Sequence, residues 1–237
     1  MFAATAELYD IIYGFKDYAA EVAKVRAVID AERPNARSIL DVACGTGEHA
    51  RHLAESFDVD AIDLEPGFVA IASAKLPRGK VAVADMRAFD LGRRYDVVQC
   101  LFSSIGYLTE PDDAIAALAC FRRHLAPDGV VLVEPWFEPA SYRTGAVHML
   151  TVNQPELKIS RVHVSRRKGD VSILDFEYLI GTPAGVRHER ETHRLLLTPF
   201  TTMATWFDAA GLHATFDPVG PSGRGLFVAR QLFGTSS

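Results

Sequence analysis

The sequence contains little cysteine and no long apolar run. Three cysteines occur in 237 residues, Cys44, Cys100 and Cys120, and none of them form a C-x-x-C pair. This spacing argues against a disulfide framework or a structural zinc site and favours buried thiols in a reducing compartment. No segment approaches the roughly 20 apolar residues of a membrane-spanning helix, and the N-terminus lacks a basic flank and an apolar signal core. The sequence therefore predicts a cytoplasmic protein.

The sequence also contains fewer basic than acidic residues. Lysine and arginine number 25 against 30 aspartates and glutamates, which gives a formal net charge of −5. This balance offers no general attraction for nucleic acid or an anionic membrane, so any phosphate-bearing ligand must be held by locally placed cations. The partner expected is a small molecule. With 49% hydrophobic residues, the length suits one sizeable α/β domain spanning residues 1–237.

Helical spacing dominates the first part of the chain, and strands then alternate with helices. Residues 6–31 predict a short and a longer helix, interrupted at Gly14 and stopped by Pro34, within an amino-terminal helical lid of about residues 1–33. The alternation that follows predicts βαβ units and a mostly parallel sheet. The predicted strands are SILDV, VDAID, KVAVA, YDVVQCLF and GVVLVE, and the predicted helices run from Gly47 to about Ser56, onward from Pro66, and from Pro111 to about Leu125.

The pattern changes after Glu134. Residues 147–197 form four extended runs separated by the turn-prone segments NQPE, RKGD and GTPAG. They predict an antiparallel β layer, about residues 141–197, inserted into the α/β core. A helix from Thr201 to Ala210, followed by strands near residues 213–216 and 226–230, is expected to complete the main sheet.

The stretch ILDVACGTGEHA, residues 39–50, carries a glycine turn between the first strand and its helix. Its spacing fits the G-x-G-x-x-G/A pattern that holds a dinucleotide pyrophosphate. A pyrophosphate would meet Asp41 at the end of the strand and Glu48 in the first helical turn, where like charges disfavour it. These acids favour a ligand that also carries positive charge.

S-adenosylmethionine has the required groups: an ammonium, a sulfonium and a carboxylate, but no phosphate. Asp63, about 20 residues further on, can accept hydrogen bonds from ribose hydroxyls, although a nicotinamide dinucleotide site would use it in the same way. Asp41 separates the two ligands, together with Ala84-Asp85-Met86 after the third strand. There a carboxylate can accept from an adenine amino group while a neighbouring backbone N–H pairs with a ring nitrogen.

In these motifs the chain resembles the class I S-adenosylmethionine-dependent methyltransferases, whose first three motifs match LDVACGTG, AIDLE and ADM. It is similar, more narrowly, to the sugar N,N-dimethyltransferases that act on nucleotide-linked amino sugars of macrolide-type antibiotics. The matching stretches are AELYDIIY, FKDYAAE, DMRAFDLGRRYD, FSSIGYL, VVLVEPWF, SRVHVS and GPSGRGLF. The resemblance implies a doubly wound, Rossmann-like sheet of seven strands, mostly parallel with the last antiparallel, and cofactor at the carboxyl ends of the strands.

The resemblance also implies an activity: methylation of the amino group of a TDP-linked deoxy amino sugar to its dimethylamino form, yielding S-adenosylhomocysteine. The residues expected to bind cofactor are Tyr9, Tyr18, Asp41, Ala43, Gly45, Gly47, Asp63, Leu64, Asp85, Met86 and Phe102. The amine must be neutral to attack, and either a modest base or a site that disfavours the ammonium form is enough. Two residues are the catalytic candidates: Tyr107 would orient the amine or relay its proton, and Glu134 would hold the nitrogen. The alternatives are an aromatic wall for Tyr107 and a loop tether for Glu134.

The nucleotide end of such a substrate needs cations. Arg224, between glycines in GPSGRGLF, is expected to grip phosphate, and Arg161 lies on one strand face with His163 and Ser165. The full set expected to bind substrate is Tyr13, Ser104, Tyr107, Trp136, Arg161 and Arg224. Two clusters are discounted as metal sites because they lack supporting ligand motifs, namely Glu189, Glu191 and His193 on one strand, and His49 with His52 on a helix.

Three alternatives stay open. The same scaffold could methylate a hydroxyl or another small amine. An NAD-dependent oxidoreductase would explain the glycine turn and Asp63 but not Asp41 or the ADM motif. A non-catalytic cofactor-binding protein is the third, since fold does not fix function. The sequence does not specify the sugar or the ring position of its nitrogen, and it leaves open whether two chains form a homodimer.

Overall fold

The computed structural model describes residues 6–232, which form two β-sheets and the helices that flank them. The strands are β1 Ser38–Val42, β2 Asp58–Asp63, β3 Val81–Val83, β4 Tyr95–Cys100, β5 Leu125–Val133, β6 Val147–Gln154, β7 Leu157–Lys168, β8 Val171–Thr182, β9 Gly185–Leu196, β10 Leu212–Asp217 and β11 Leu226–Gln231. The helices are α1 Tyr9–Ile12, α2 Tyr18–Glu32, α3 Glu48–Leu53, α4 Pro66–Lys75, α5 Pro111–Arg123 and α6 Phe200–Ala209. Short 3₁₀ turns cover Ala6–Leu8 and Ser104–Tyr107.

The main sheet has seven strands in the order β10-β11-β5-β4-β1-β2-β3. Neighbours from β5 through β3 are parallel, whereas β11 runs antiparallel to both β5 and β10. Strand order reverses between β1 and β4, so the sheet has a topological switch point where ligands bind in such folds. The predicted doubly wound sheet with an antiparallel last strand is confirmed.

Local sequence signals set the helix starts. Asp17 caps α2 by accepting a hydrogen bond from the backbone N–H of Ala20 at 2.9 Å. Pro66 and Pro111 occupy first helical positions, where the missing N–H has no cost. The predicted helix after the glycine turn ends earlier than expected, at Leu53, and α5 ends at Arg123.

The second sheet holds the four strands β6-β7-β8-β9, each antiparallel to the next. Successive residues of each strand point alternately to the inner and the outer face of this sheet, as expected for a half-buried sheet. Phe176, Tyr178 and Ile180 of β8 pack inward against Leu8 and Ile12 of the amino-terminal turns. The predicted inserted antiparallel layer is confirmed, and its strands extend a few residues beyond the predicted bounds.

The strand β5 begins earlier than the sequence indicated. Its pairing with β4 joins Tyr95 to Leu125 and then shifts register before Val97 meets Val130. A bulge at Asp128, whose φ is 59°, accommodates the extra residues. Among residues 6–232, no helix is long and apolar enough to cross a membrane.

Candidate functional site

A cavity of about 1240 Å³ opens at the carboxyl ends of β1, β2 and β4. The four-stranded sheet closes one side, and the turns around α1 and the start of α2 close another. All but two of the residues expected to take part in catalysis or to bind cofactor or substrate line this cavity: Tyr9, Tyr13, Tyr18, Asp41, Ala43, Gly45, Asp63, Leu64, Asp85, Met86, Phe102, Ser104, Tyr107, Trp136, Arg161 and Arg224. Gly47 and Glu134 lie behind its wall.

The glycine turn uses its two glycines for different purposes. Gly45 has a φ of 58°, and a Cβ added there would meet no atom within 4 Å, so a ligand can approach the backbone. Gly47 has a φ of 81°, and its Cβ would lie 3.0 Å from the Cβ of Ala72. Gly47 therefore permits close packing of α3 on α4, and its expected contact with cofactor stays a prediction.

Asp63 at the end of β2 organises the floor of the cavity. Its carboxylate accepts hydrogen bonds from the backbone N–H groups of Gly45 at 2.8 Å and Glu65 at 2.9 Å. Burial raises the pKa of Asp63, and these backbone hydrogen bonds oppose the rise. The next residue, Leu64, is 61% exposed. A bidentate acceptor beside an uncovered apolar side chain suits a ribose and the flat ring attached to it.

Asp41 at the end of β1 is the buried acid of the cavity. It accepts a hydrogen bond from Gln99 Nε2 at 3.0 Å, and burial raises the pKa of its carboxyl to about 6. Glu48 differs, because Lys75 at 2.7 Å and Arg51 at 2.9 Å offset its charge. Of the two acids expected to repel a pyrophosphate, Asp41 is thus the one that makes no ion pair within 4 Å among the described residues, although His49 lowers its pKa from a greater distance. Its environment favours a cation nearby.

Replacing Asp41 with asparagine should stabilise the ligand-free protein at about pH 8 by about 3 kcal/mol. A raised folded-state pKa means that the fold favours the protonated carboxyl; that contribution is present below about pH 4, the unfolded value, and is lost as pH rises through about 6. Asparagine retains the shape and the acceptor for Gln99 without the charge. Urea unfolding of variant and wild type at about pH 8 and at about pH 4 measures the difference in their free energies of unfolding. Equal stability of variant and wild type at about pH 8 would contradict this assignment.

Asp85 and Met86 lie at the rim. Asp85 accepts from the backbone N–H of Arg87 at 2.9 Å and from its guanidinium at 2.6 Å, and these hydrogen bonds lower the pKa of Asp85. Arg87 also reaches Asp113 at 2.9 Å. Met86 is partly buried against the core beneath. An adenine amino group would therefore share the Asp85 carboxylate with Arg87, a partner that sequence analysis had not placed there.

A second group of residues that sequence analysis missed ties the amino-terminal helices to the glycine turn. Asp10 of α1 accepts from Thr46 Oγ1 and from Lys75 Nζ, both at 2.5 Å. Glu21 of α2 bonds His49 of α3 at 2.8 Å and Lys16 at 2.7 Å. Burial, which raises the pKa of Glu21, is outweighed by these two hydrogen bonds, and the pKa falls to about 2.

Aromatic rings line the amino-terminal wall. Tyr9 lies against Tyr13 and Phe68, with ring centroids 4.5 and 5.0 Å apart. Tyr18 meets His49 edge-on at 4.9 Å. Burial raises the pKa of both Tyr9 and Tyr18, so their hydroxyls stay protonated. This wall is apolar with hydroxyl groups at its surface, which suits a water-poor pocket.

The segment after β4 makes a sharp bend into the cavity. Phe102 and Ser103 have φ values of 52° and 62°, uncommon for residues with side chains. Glu134 holds this bend by accepting from the backbone N–H of Phe102 at 2.7 Å, and its other oxygen accepts from Ser222 Oγ. Its side chain is 1% exposed. Glu134 therefore occupies the tethering position that was the alternative to direct contact with an amine.

Arg224 stacks in an aromatic cluster beside that bend. Its guanidinium carbon lies 5.2 Å from the ring centroid of Phe102, 5.3 Å from Trp136 and 5.7 Å from Phe137. Its Nη1 is 4.0 Å from a Glu134 oxygen. Within residues 6–232, that buried nitrogen makes no hydrogen bond. A fixed guanidinium with an unused donor is a ready partner for an anionic group.

The inserted sheet supplies the far wall. Tyr107 Oη lies 2.9 Å from Nδ1 of His193 on β9, and His193 Nε2 lies 3.7 Å from a Glu191 oxygen. Arg161 on β7 donates to Tyr13 Oη at 3.1 Å. Burial raises the pKa of Tyr107. Sequence analysis had discounted His193 and Glu191 as metal ligands, but no signal in the sequence placed them behind Tyr107.

The donors and acceptors of this cavity fit S-adenosylmethionine. Asp41 provides a buried negative charge, Asp63 a bidentate acceptor, and Gly45 an open backbone surface. Within the described part of the chain, no group of three or more His, Cys, Asp or Glu side chains has the arrangement of a metal site.

Comparisons with known proteins agree with this geometry. Residues 39–129 match the model of a methyltransferase domain. The chain is 44% identical over 227 residues to dTDP-3-amino-3,6-dideoxy-alpha-D-glucopyranose N,N-dimethyltransferase of Streptomyces fradiae. The matched region covers 94% of this chain and 89% of the relative. A second relative, the dTDP-3-amino-3,4,6-trideoxy-alpha-D-glucopyranose N,N-dimethyltransferase of Streptomyces venezuelae, is 38% identical over 94% of this chain and 96% of its own.

Solved structures give the same result. DesVI of Streptomyces venezuelae superposes with a TM-score of 0.90 at 38% identity, covering 96% of this chain and 98% of its own. CalS10 of Micromonospora echinaspora is an amino pentose methyltransferase solved with S-adenosylmethionine bound. It superposes with a TM-score of 0.87 at 35% identity, covering 95% of this chain and 97% of its own. With identity this high over nearly the whole length, the chain belongs to the S-adenosylmethionine-dependent N,N-dimethyltransferases of nucleotide-linked amino sugars.

Proposed function

We propose that this enzyme dimethylates the amino group of a TDP-linked deoxy amino sugar in antibiotic sugar biosynthesis. One observation carries the proposal: a single cavity joins an acidic half around Asp41 and Asp63 to an aromatic half that holds the Tyr107 hydroxyl and the Arg224 guanidinium. The acidic half suits a cationic nucleoside, and the aromatic half suits a sugar with an anionic tail. The names of the relatives support the same substrate class.

When bound, S-adenosylmethionine supplies a methyl group on a positively charged sulfur. The chain's part is to hold a neutral amine in line with that methyl, about 3–3.5 Å away, and to exclude water. Tyr107 lies on the 3₁₀ turn beside Phe102, at the switch point of the sheet. We assign its hydroxyl the role of accepting an N–H of the amine, which leaves the nitrogen lone pair free to attack. This assignment makes Tyr107 the catalytic residue.

The remaining residues of the aromatic half would hold the rest of the substrate. Arg224 is assigned to the diphosphate, because its side chain lines the cavity and stacking on Phe102 and Trp136 fixes its guanidinium there. Arg161, held by Tyr13, and Trp136 would line the sugar pocket together with Ser104. Glu134 keeps Phe102 and Ser222 in place and is assigned a positioning role.

We also propose that the chain works as one domain with a lid of about residues 1–33, of which residues 1–5 lie outside the described part. The hydrogen bonds of Asp10 to Thr46 and of Glu21 to His49 support this role, because they join both amino-terminal helices to the cofactor side of the cavity. A closed lid would shield the transferring methyl from water. Tyr9 and Tyr18 would then cover the methionine part of the cofactor.

The test is a mass-spectrometric assay with isotope-labelled cofactor and the three TDP-amino sugars on which the relatives act. They are dTDP-3-amino-3,6-dideoxy-α-D-glucopyranose, its 3-amino-3,4,6-trideoxy counterpart and dTDP-4-amino-2,3,4,6-tetradeoxy-D-glucose. We expect products carrying one and then two methyl groups on at least one sugar. Methylation of a hydroxyl or of an unrelated amine instead would establish the runner-up function. Binding of NAD in place of S-adenosylhomocysteine would overturn the proposal.

A homodimer is a further proposal, supported by an apolar patch on the outer face of the inserted sheet. Val147 pairs with Val164 and Met149 pairs with Val162 across β6 and β7, and Val147 and Met149 are 71% and 66% exposed. Exposed apolar pairs of this kind mark interaction surfaces. Sedimentation equilibrium should give a dimer, and Met149→Lys should shift it to monomer.

We also propose a cytoplasmic location. The free thiols Cys44, Cys100 and Cys120 support it.

A further inference from the structure

The inner face of the inserted sheet places a histidine and a glutamate in line behind Tyr107. His193 is 1% exposed and lines the cavity, whereas Glu191 is 5% exposed and does not line it. Tyr107 Oη is 2.9 Å from His193 Nδ1, and His193 Nε2 is 3.7 Å from Glu191 Oε2. Tyr178 donates to the same Glu191 oxygen at 3.3 Å. The three side chains form a line that starts at the cavity.

We propose that His193 and Glu191 form a proton relay that deprotonates the substrate amine through Tyr107. The inference rests on the proposed function, because the amine is that of the amino sugar. Methylation needs this step twice, once for the incoming amine and once for the monomethylated product, which is itself protonated at about pH 7. His193 acts through Tyr107 and is a positioning residue with a proton-accepting nitrogen.

The chemistry fixes the direction of the hydrogen bonds. A Tyr107 hydroxyl that donated to the amine would occupy the lone pair that must attack. Glu191 near Nε2 favours the tautomer with hydrogen on Nε2, which leaves Nδ1 to accept from Tyr107. The Tyr107 oxygen then presents its lone pairs to the cavity. It can accept a proton only if it gives its own away, because burial raises the pKa of Tyr107 and disfavours the phenolate.

The step balances in protons and electrons. An N–H bond of the substrate ammonium breaks, and its electron pair stays on nitrogen as the lone pair that attacks the methyl. That proton forms a new O–H bond on Tyr107, while the original Tyr107 proton forms an N–H bond on Nδ1 of His193. The resulting imidazolium faces the Glu191 carboxylate. The proton leaves by the same route when product leaves the cavity.

Groups on each neighbouring element act on the imidazole. Glu191 on the same strand favours its charged form. The Phe176 ring on β8 lies 4.9 Å from His193 and carries the Arg161 guanidinium on its own face at 4.5 Å, so a positive charge opposes protonation. The remaining titratable groups around the line are Tyr13, Tyr107, Tyr178 and His163. A Glu191 carboxylate oxygen lies 3.7 Å from Nε2 of the ring.

The test compares Glu191→Gln and His193→Asn with wild type in saturating S-adenosylmethionine and dTDP-3-amino-3,6-dideoxy-α-D-glucopyranose. Glutamine keeps the bond from Tyr178 without charge, and asparagine keeps an acceptor near Nδ1 that cannot be protonated. We expect kcat to fall about tenfold at about pH 7 and to recover to within about twofold at about pH 10, where the amine arrives neutral. Thr192→Ala is the matched control, since Thr192 lies between them on the outer face and bonds Asp175.

A second readout does not depend on turnover. In the S-adenosylhomocysteine complex, the nitrogen-15 signals of His193 should move toward imidazolium when the amino sugar is added, and they should not move in Tyr107→Phe. A loss of kcat that is equal at both pH values, or unmoved His193 signals with bound sugar, would overturn the relay while leaving the proposed function intact. Absence of methylation and of sugar binding by wild type would overturn both.

Discussion

Asp63→Ala should weaken binding of S-adenosylhomocysteine by about 10³-fold. We assign the carboxylate to the two ribose hydroxyls as a bidentate acceptor, and each charge-assisted hydrogen bond contributes about 1.5–3 kcal/mol. The same carboxylate holds the glycine turn by accepting from the N–H of Gly45 at 2.8 Å. Alanine therefore removes the ribose contact and releases the turn together. Isothermal titration calorimetry measures the change.

The matched control for Asp63 is Asp58→Ala. Asp58 begins the strand that Asp63 ends, and its exposed side chain does not line the cavity. This substitution should leave the affinity for S-adenosylhomocysteine within about twofold of wild type, because Asp58 is remote from the ligand. Asp63→Asn separates the two roles, since asparagine keeps one acceptor oxygen. An alanine variant that bound cofactor as well as the control would show that the ribose lies elsewhere.

Arg224→Ala should raise the KM for the TDP-amino sugar by about 10²-fold and leave the Kd for S-adenosylhomocysteine within about threefold. The guanidinium is fixed by stacking on Phe102 and Trp136, so little rotamer entropy is lost when it grips a phosphate. Its side chain lines the cavity and is 25% exposed, so a diphosphate oxygen in the cavity can approach the guanidinium. Steady-state kinetics and calorimetry give the two constants.

Two further variants sharpen the Arg224 experiment. Arg224→Lys keeps the charge but loses the bidentate geometry and the stacking, so it should recover only part of the affinity. Arg230→Ala is the matched control, because Arg230 lies on the neighbouring strand β11 and pairs with Glu32 away from the cavity. Equal losses in cofactor and substrate affinity for Arg224→Ala would contradict a phosphate contact and point to collapse of the Phe102 bend.

Motifs at strand ends made much of the site predictable. Asp41, Gly45 and Asp63 follow apolar strands, and parallel strands bring their carboxyl ends to one edge, so sequence order alone predicted that they meet. The same reasoning failed for Glu48. Its charge looked repulsive in sequence, but Lys75 from a different helix offsets it at 2.7 Å. A neighbour distant in sequence decided which of the two acids is held in an ion pair.

The inserted sheet shows the other limit. Its extended runs and turn-prone segments predicted four strands, yet Glu191 and His193 were considered from the sequence only as metal ligands and were discounted. Their position depends on how the sheet docks against the 3₁₀ turn that carries Tyr107, a contact between residues 86 positions apart. Likewise, Glu134 directly follows β5, close to the predicted strand end, but the Phe102 bend and Ser222 determine that its oxygens face protein instead of cavity.

The sequence by itself determined the sheet, the glycine turn and the family, because strand periodicity and strand-end motifs are local and their geometry is fixed by backbone pairing. Only the tertiary structure decided which charges are compensated, which donors stay unused and which side chains stand behind Tyr107. Those properties depend on packing between elements far apart in the chain, where burial and a few ångströms determine whether a carboxylate tethers a loop, meets a cation or accepts a proton.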